Sequence, residues 1–385
     1  MPSVAPDGTL YVTFQNEQNM AAWELPQRFD DQQMVVRGTL TANGKSMTFA
    51  GETPTGPNQA NCVRVQGQAP GTPSGSFQNP CIVPVHIANL EDSNDNLSHV
   101  EGGETAVPDY PFNVQGRTTL TGHQFRMNSS ANVVVAPAPG AYNGTAAQRA
   151  VYRVYVLFDD NAASIIPGFS TTTGTLPITN INVYYAYSDD RGNTWAGGDQ
   201  ALPPSTKCVT GACPELATRL MVQAANPANS PFDTQCATCQ DEFYPWIDAN
   251  PSTGAVVIGF MDGSQGVPRN DYGFSMVQSG PLVSGSPPVF GATQLVTTQP
   301  SHPNQSRFFR AGFAAAPACG DCATFIGDYN NVAFGRNGNV HGVWTQLQRP
   351  LATVNRPPGC TAGTAGCTPT PLFGEDAFYA RIPAP

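Results

Sequence analysis

Four stretches of the chain repeat one alternation of apolar and polar positions: a short apolar run, a turn containing glycine, then a second apolar run that ends in an aromatic residue. They span Ser3 to Phe14, Asn132 to Phe158, Trp246 to Phe260 and Tyr329 to Trp344. Runs of four to eight residues rich in Val, Tyr and Phe, bounded by Gly, Asn and Asp, predict β-strands, and two runs around a tight turn predict a hairpin. Asp7-Gly8 and Asn337-Gly338 are the turn pairs that adopt positive φ at low cost and match the twist of paired strands. A fifth run, Ile181 to Ser188, leads directly into another turn. The long first gap has room for one more unit around Cys81 to Ile87, beside a low-complexity stretch from Glu52 to Pro80 that reads as an irregular loop.

Composition narrows the architecture. The 385 residues include 38 Gly and 36 Pro, about a fifth of the chain, and this density of helix breakers disfavours long helices. Charged residues are only 12%, while a 40% hydrophobic fraction is enough for a core, so neither disorder nor a coiled coil fits. The net charge of −10 would repel a nucleic-acid backbone. No apolar run reaches the ~18 residues of a membrane helix, and residues 1 to 30 lack a basic start followed by an apolar stretch. A soluble chain without a membrane span, any signal peptide already removed, is therefore expected.

All ten cysteines fall into sequence-local couples in Gly-, Pro-, Thr- or Asn-rich segments: Cys62 with Cys81, Cys208 with Cys213, Cys236 with Cys239, Cys319 with Cys322, and Cys360 with Cys367. Two of these are CxxC pairs, which in tandem can form a four-thiolate zinc site, but here the pairs lie too far apart in sequence. Disulfides that staple loops, in an oxidising compartment, are the reading that remains. The five histidines, His86, His99, His123, His302 and His341, have no metal-ligand spacing. Glu91 to Asn96 lacks the Gly and distal Glu of a calcium loop, and Gly44-Lys45-Ser46 lacks a correctly placed leading Gly for a phosphate loop. HExxH, GxGxxG and GxSxG are all absent. No metal or cofactor is expected.

The turn after Ile181–Ser188 matches the eight-residue pattern Ser188-x-Asp190-x-Gly192-x-Thr194-Trp195 in full. Asp190 can accept backbone N–H bonds, Gly192 can take positive φ, and Trp195 can pack between sheets. On this motif the chain resembles the secreted Asp-box (BNR repeat) proteins of the sialidase superfamily. Asp241 to Asp248, Phe325 to Asn331 and Ala377 to Ile382 look like recurring blade segments of that family. The likeness covers roughly residues 120 to 382. A degenerate box, with the Asp and Gly positions lost, is read at Thr41 to Phe49.

The resemblance implies an all-β fold: one β-propeller domain over residues 1–385, built of four-stranded antiparallel blades, with long disulfide-stapled loops and a loop-rich insertion around 50–120. Four blades are legible where the length could hold six or more. Either some have diverged or the chain begins part-way through a longer propeller, and the abrupt start at Met1 to Val4 favours the latter or an engineered start. It also implies secretion, to the exterior or the periplasm, and a glycan or cell-surface ligand as partner.

Sialidases of this superfamily use an arginine cluster, a Tyr nucleophile with a Glu partner, and an Asp acid/base, all projecting from inner strands. The matching positions are Arg126, Arg307 and Arg310 for the carboxylate, Tyr329 as nucleophile, and Asp241 or Glu242 for the proton, with Tyr244 and Asp328 as further ligand contacts. Phe125-Arg126 resembles the family's first arginine motif, though Met127-Asn128 departs from its Ile-Pro ending. Two functions stay open, a binding or interaction protein without chemistry and an exo-sialidase-type glycoside hydrolase.

Overall fold

A computed structural model describes residues 2–16, 31–41, 44–49, 85–90, 132–160, 181–198, 219–222, 241–263, 271–301, 330–355 and 370–383. The chain is all-β, and its described residues fold into four antiparallel sheets. The first holds β1 (Pro2–Val4), β2 (Leu10–Asn16), β3 (Asp31–Leu40), β4 (Met47–Phe49) and β5 (Val85–Leu90). The second holds β6 (Asn132–Pro137), β7 (Tyr152–Asp160), β8 (Asn182–Ser188) and β9 (Leu220–Met221). The third holds β10 (Glu242–Ala249), β11 (Val256–Asp262), β12 (Gly273–Gln278) and β13 (Gln294–Leu295), and the fourth β14 (Asn331–Phe334), β15 (Val340–Asn355) and β16 (Thr370–Ile382). Each of the four hairpins read from the sequence is the first hairpin of a sheet.

Two expectations need correction. Among the described residues the sheets are not uniformly four-stranded: they contain five, four, four and three strands. In the region around Cys81–Ile87 the described part, Val85–Leu90, joins the first sheet and does not begin a fifth unit. β5 pairs with β3 from Asp31 to Val35, along the same edge that β4 occupies from Gly38 to Leu40. β4 is only three residues long, so it leaves most of that edge open, and an open edge is a template for another strand.

The first strands follow one another in space: β1 lies against β6, β6 against β10, and β10 against β14. Three cores fill the gaps between consecutive sheets. Tyr11, Val35 and Ile87 meet Val154, Val156 and Phe158 between the first two sheets. Tyr155, Leu157 and Tyr185 meet Ile258, Phe260 and Val277 between the next two. Phe274 and Met276 meet Val332, Val340 and Trp344 between the last two. Alternate residues of β7 and β11 therefore point into different cores. This is why those strands are buried along nearly their whole length, where a sheet with one wet face would alternate. No closed ring of sheets is present among the described residues.

The two ends of this stack differ. At one end sit the tight turns, with Gly8, Gly254 and Gly338 all at positive φ. An Asp or Asn side chain braces each of them: Asp7 accepts from Thr9 N, Asn250 from Ser252 N and Asn337 from Asn339 N. The longer link between β6 and β7 carries one helical turn, α1 (Ala146–Arg149), closed by a reciprocal capping box between Thr145 and Gln148. At the other end β2, β5, β7, β11 and β15 finish and β3, β6, β8, β10, β12 and β14 begin, so every crossing between sheets departs from there. No helix among the described residues is long and apolar enough to cross a membrane.

Candidate functional site

Two regions hold those candidate site residues that are among the described ones. The turn from Ser188 to Trp195 follows β8 at the tight-turn end. Ser188 Oγ donates to Asp190 Oδ1 at 2.8 Å and accepts from Gly192 N at 2.8 Å. Asp190 Oδ1 also accepts from Asn193 N and Thr194 N, and its Oδ2 accepts from Thr194 Oγ at 2.6 Å. Partial burial works against the Asp190 charge, but the Thr194, Ser188 and Asn193 hydrogen bonds outweigh it and hold the carboxyl below its usual range. The turn is therefore at full strength above the carboxylate's unfolded pKa and weakens as acid protonates it in the fold.

Arg191 and Gly192 both take positive φ, and a side chain at Gly192 would press on the Tyr11 ring. Trp195 packs, half-buried, against the core between the first two sheets. The turn from Thr41 to Ser46 has the same place after the third strand of its own sheet. It is closed by the Thr41 hydroxyl on Ser46 O at 2.8 Å instead of by a carboxylate.

The second region lies at the opposite end, where β10 begins. Arg126, Arg307, Arg310, Asp328, Tyr329 and all ten cysteines lie outside the described residues. Asp241, Glu242 and Tyr244 are within them, and they are neighbours at the mouth of the third sheet. Asp241 Oδ1 accepts from Ile181 N at 2.9 Å, and Glu242 N donates to Ile181 O, so this pair ties β10 to the start of β8. Glu242 is fully buried and stands opposite the equally buried Asp262 of β11.

Between Phe243 and Trp246 the pairing of β10 with β11 slips, so that Tyr244 and Pro245 bulge out of the ladder. Proline suits the bulge because it has no N–H to give the ladder. Tyr244 has φ 52°, a left-handed conformation that costs a non-glycine residue about 1 kcal/mol or more.

Side chains from the flanking sheets hold the bulge in place. Asp159, at the end of β7, accepts from Tyr244 N at 3.0 Å. Asn132, at the start of β6, donates to Pro245 O at 2.7 Å, and Asn330, just before β14, donates to Tyr244 O at 2.6 Å. Asn330 Oδ1 is buried with no hydrogen-bond partner among the described residues. Arg219, a buried cation, has its guanidinium 5.2 Å from the centroid of the Tyr184 ring and 5.8 Å from that of Phe158, the neighbour of Asp159. The arrangement presents carboxylates, amides and a phenol on a rigid frame where three sheets meet, chemistry suited to hydrogen-bonding a polar ligand. Among the described residues no three His, Cys, Asp or Glu side chains gather as metal ligands.

Sequence reasoning missed Asn132, Asp159, Asp262 and Asn330. A signal for two of them was present, because Phe158-Asp159 and Met261-Asp262 put an acid behind a large apolar residue at the end of the second strand of successive sheets. Comparison with protein-family models and with curated proteins gives no match for this chain.

Proposed function

We propose that this protein is an exported, sialidase-like β-propeller whose loop-bearing end binds a glycan or another surface ligand without transforming it. The observation that carries the reading is the Tyr244–Pro245 bulge. A strained tyrosine is held by Asp159 and Asn330, and Pro245 by Asn132, at the point where the first strands of three sheets meet. Strain of this kind persists only where the surroundings over-determine it, and such positions cluster at ligand sites. The propeller is supported by the first-strand-to-first-strand stacking of the sheets and by the Asp-box turn after β8. Arg126, Arg307, Arg310, Asp328 and Tyr329 belong to the same mouth in this reading, as contacts for the ligand.

The test is to incubate the full chain with a fluorogenic sialoside and, separately, to measure sialic acid binding by calorimetry. Binding without release of the fluorophore is expected. Release that disappears in Tyr329→Phe while affinity persists would make the protein a hydrolase, and absence of both would remove sialosides as its ligand class.

Export rests on the five cysteine couples, which an oxidising compartment would close. Intact mass after alkylation without reductant should show no added label. Four or more labelled thiols would exclude the pairing.

A further inference from the structure

The first sheet carries a polar cleft that the proposed ligand end does not use. Tyr11 of β2 and Arg37 of β3 are directly paired, as are Thr39 of β3 and Thr48 of β4, so these four residues share one face of the sheet. Towards the middle of the sheet that face is apolar: Val35, two residues before Arg37, is buried in the core against the second sheet. Towards the tight-turn end it becomes polar with Arg37, Thr39 and Thr48, and here the Asp-box turn of the second sheet leans over it. Tyr11 Oη donates to Arg191 O at 3.0 Å, and Arg37 Nη1 donates to Arg191 O at 2.7 Å and to Asn193 Oδ1 at 3.0 Å.

Between the sheet and the turn lies a cavity of about 410 Å³. Two guanidinium groups, Arg37 and Arg191, three threonine hydroxyls, Thr9, Thr39 and Thr48, the Asn193 amide and the Phe49 ring line it, and no carboxylate among the described residues does. Arg191 is steadied by Asp7 at 3.0 Å. Arg37 uses only Nη1 on the turn, and its Nε and Nη2 have no partner among the described residues. A guanidinium already fixed at one corner, with its other donors free, is pre-organised to fork onto an oxyanion. The chain as a whole carries −10, so this cavity is a local reversal of sign.

We infer that this cavity between Arg37 and Arg191 binds a carboxylate- or sulfate-bearing ligand about the size of one monosaccharide. The oxyanion pairs with the open edge of Arg37, and the Thr39 and Thr48 hydroxyls serve polar groups on the body. The volume lies towards the lower end of the ~300–1,000 Å³ of small-molecule pockets, room for one sugar ring. The inference does not depend on the ligand end, since none of its residues belongs to the Tyr244 bulge.

The test uses the full chain and four probes, titrated by calorimetry or by ligand-observed NMR at low salt: glucuronate, galactose 6-sulfate, glucose and inorganic sulfate. Glucuronate, galactose 6-sulfate or both should bind, about tenfold or more tighter than glucose, a margin of one charge-assisted hydrogen-bond pair. Which of the two binds tells carboxylate from sulfate. Added salt should weaken the interaction. Arg37→Gln should lose about tenfold in affinity, and Thr48→Val, at an exposed position that leaves the Asp-box contacts intact, severalfold with an unchanged melting temperature. Equal binding of glucose, inorganic sulfate binding as tightly as the acidic sugars, no binding of any probe, or affinities untouched by both variants would each overturn the assignment. If Arg37→Gln does not fold, the Thr39→Val/Thr48→Val double variant takes its place with the same criterion.

Discussion

Asp189→Ala is expected to lower stability by about 3–5 kcal/mol, far beyond what a partly exposed surface acid usually contributes. The reason is its partner. Arg153, in β7, is 1% exposed while Asp189 is 31% exposed, and the two form a bidentate pair with Nε and Nη2 each 2.7 Å from a carboxylate oxygen. The same guanidinium donates to Ser286 O in the third sheet's β12–β13 connection at 2.6 Å and lies 4.4 Å from the Tyr187 ring centroid. Burial opposes the Arg153 charge, but the Asp189 and Tyr155 hydrogen bonds more than offset it and keep the group protonated above its ordinary range. Removing Asp189 thus strands a buried cation that cannot neutralise itself.

Arg153→Met should cost much less, because the apolar stem remains and Asp189 can turn to water. The double variant Arg153→Met/Asp189→Ala should be more stable than Asp189→Ala alone. Urea denaturation of the three proteins measures this. Coincident midpoints for wild type and Asp189→Ala would reduce the pair to an ordinary surface contact. The loss should also stay constant through the neutral pH range, since Arg153 does not titrate there.

Trp344→Ala is expected to cost about 3–5 kcal/mol as well, and to act on the fourth sheet first. Trp344 is 4% exposed in β15 and stacks on Phe274 of the third sheet with centroids 4.8 Å apart and planes 9° from parallel. Phe378 of β16, directly paired with Trp344, lies beside it with ring centroids 6.2 Å apart. The indole N–H donates to Gln346 Oε1 at 3.0 Å, and Gln346 in turn donates to Gln299 O, so a polar chain runs from the ring back to the third sheet. Alanine would leave a cavity at the contact that docks β14–β16. Hydrogen exchange should show protection lost in β14–β16 ahead of β6–β8. Trp344→Phe, which keeps most of the stacking area, should cost about 1–2 kcal/mol. A melt unchanged in Trp344→Ala would mean that the fourth sheet is held elsewhere.

Much of this was legible in the chain. The first and last of the four hairpins were, because period-2 apolar runs and an Asp-Gly or Asn-Gly pair act over a dozen residues and need no distant partner, and the other two were legible from their apolar runs alone. So was the geometry of the turn after β8, whose internal hydrogen bonds all close between Ser188 and Thr194. Tertiary structure decided the rest. The pattern of β7 said that Tyr155 and Val156 point apart, but not that each meets a different sheet. The Tyr244 bulge, the third contact of Arg153 on Ser286 and the cavity between Arg37 and Arg191 exist only because sheets far apart in sequence stack in one order. Alternation along a strand fixes which side of the strand a residue occupies. Which sheet lies on that side depends on long-range packing, and no local pattern carries it.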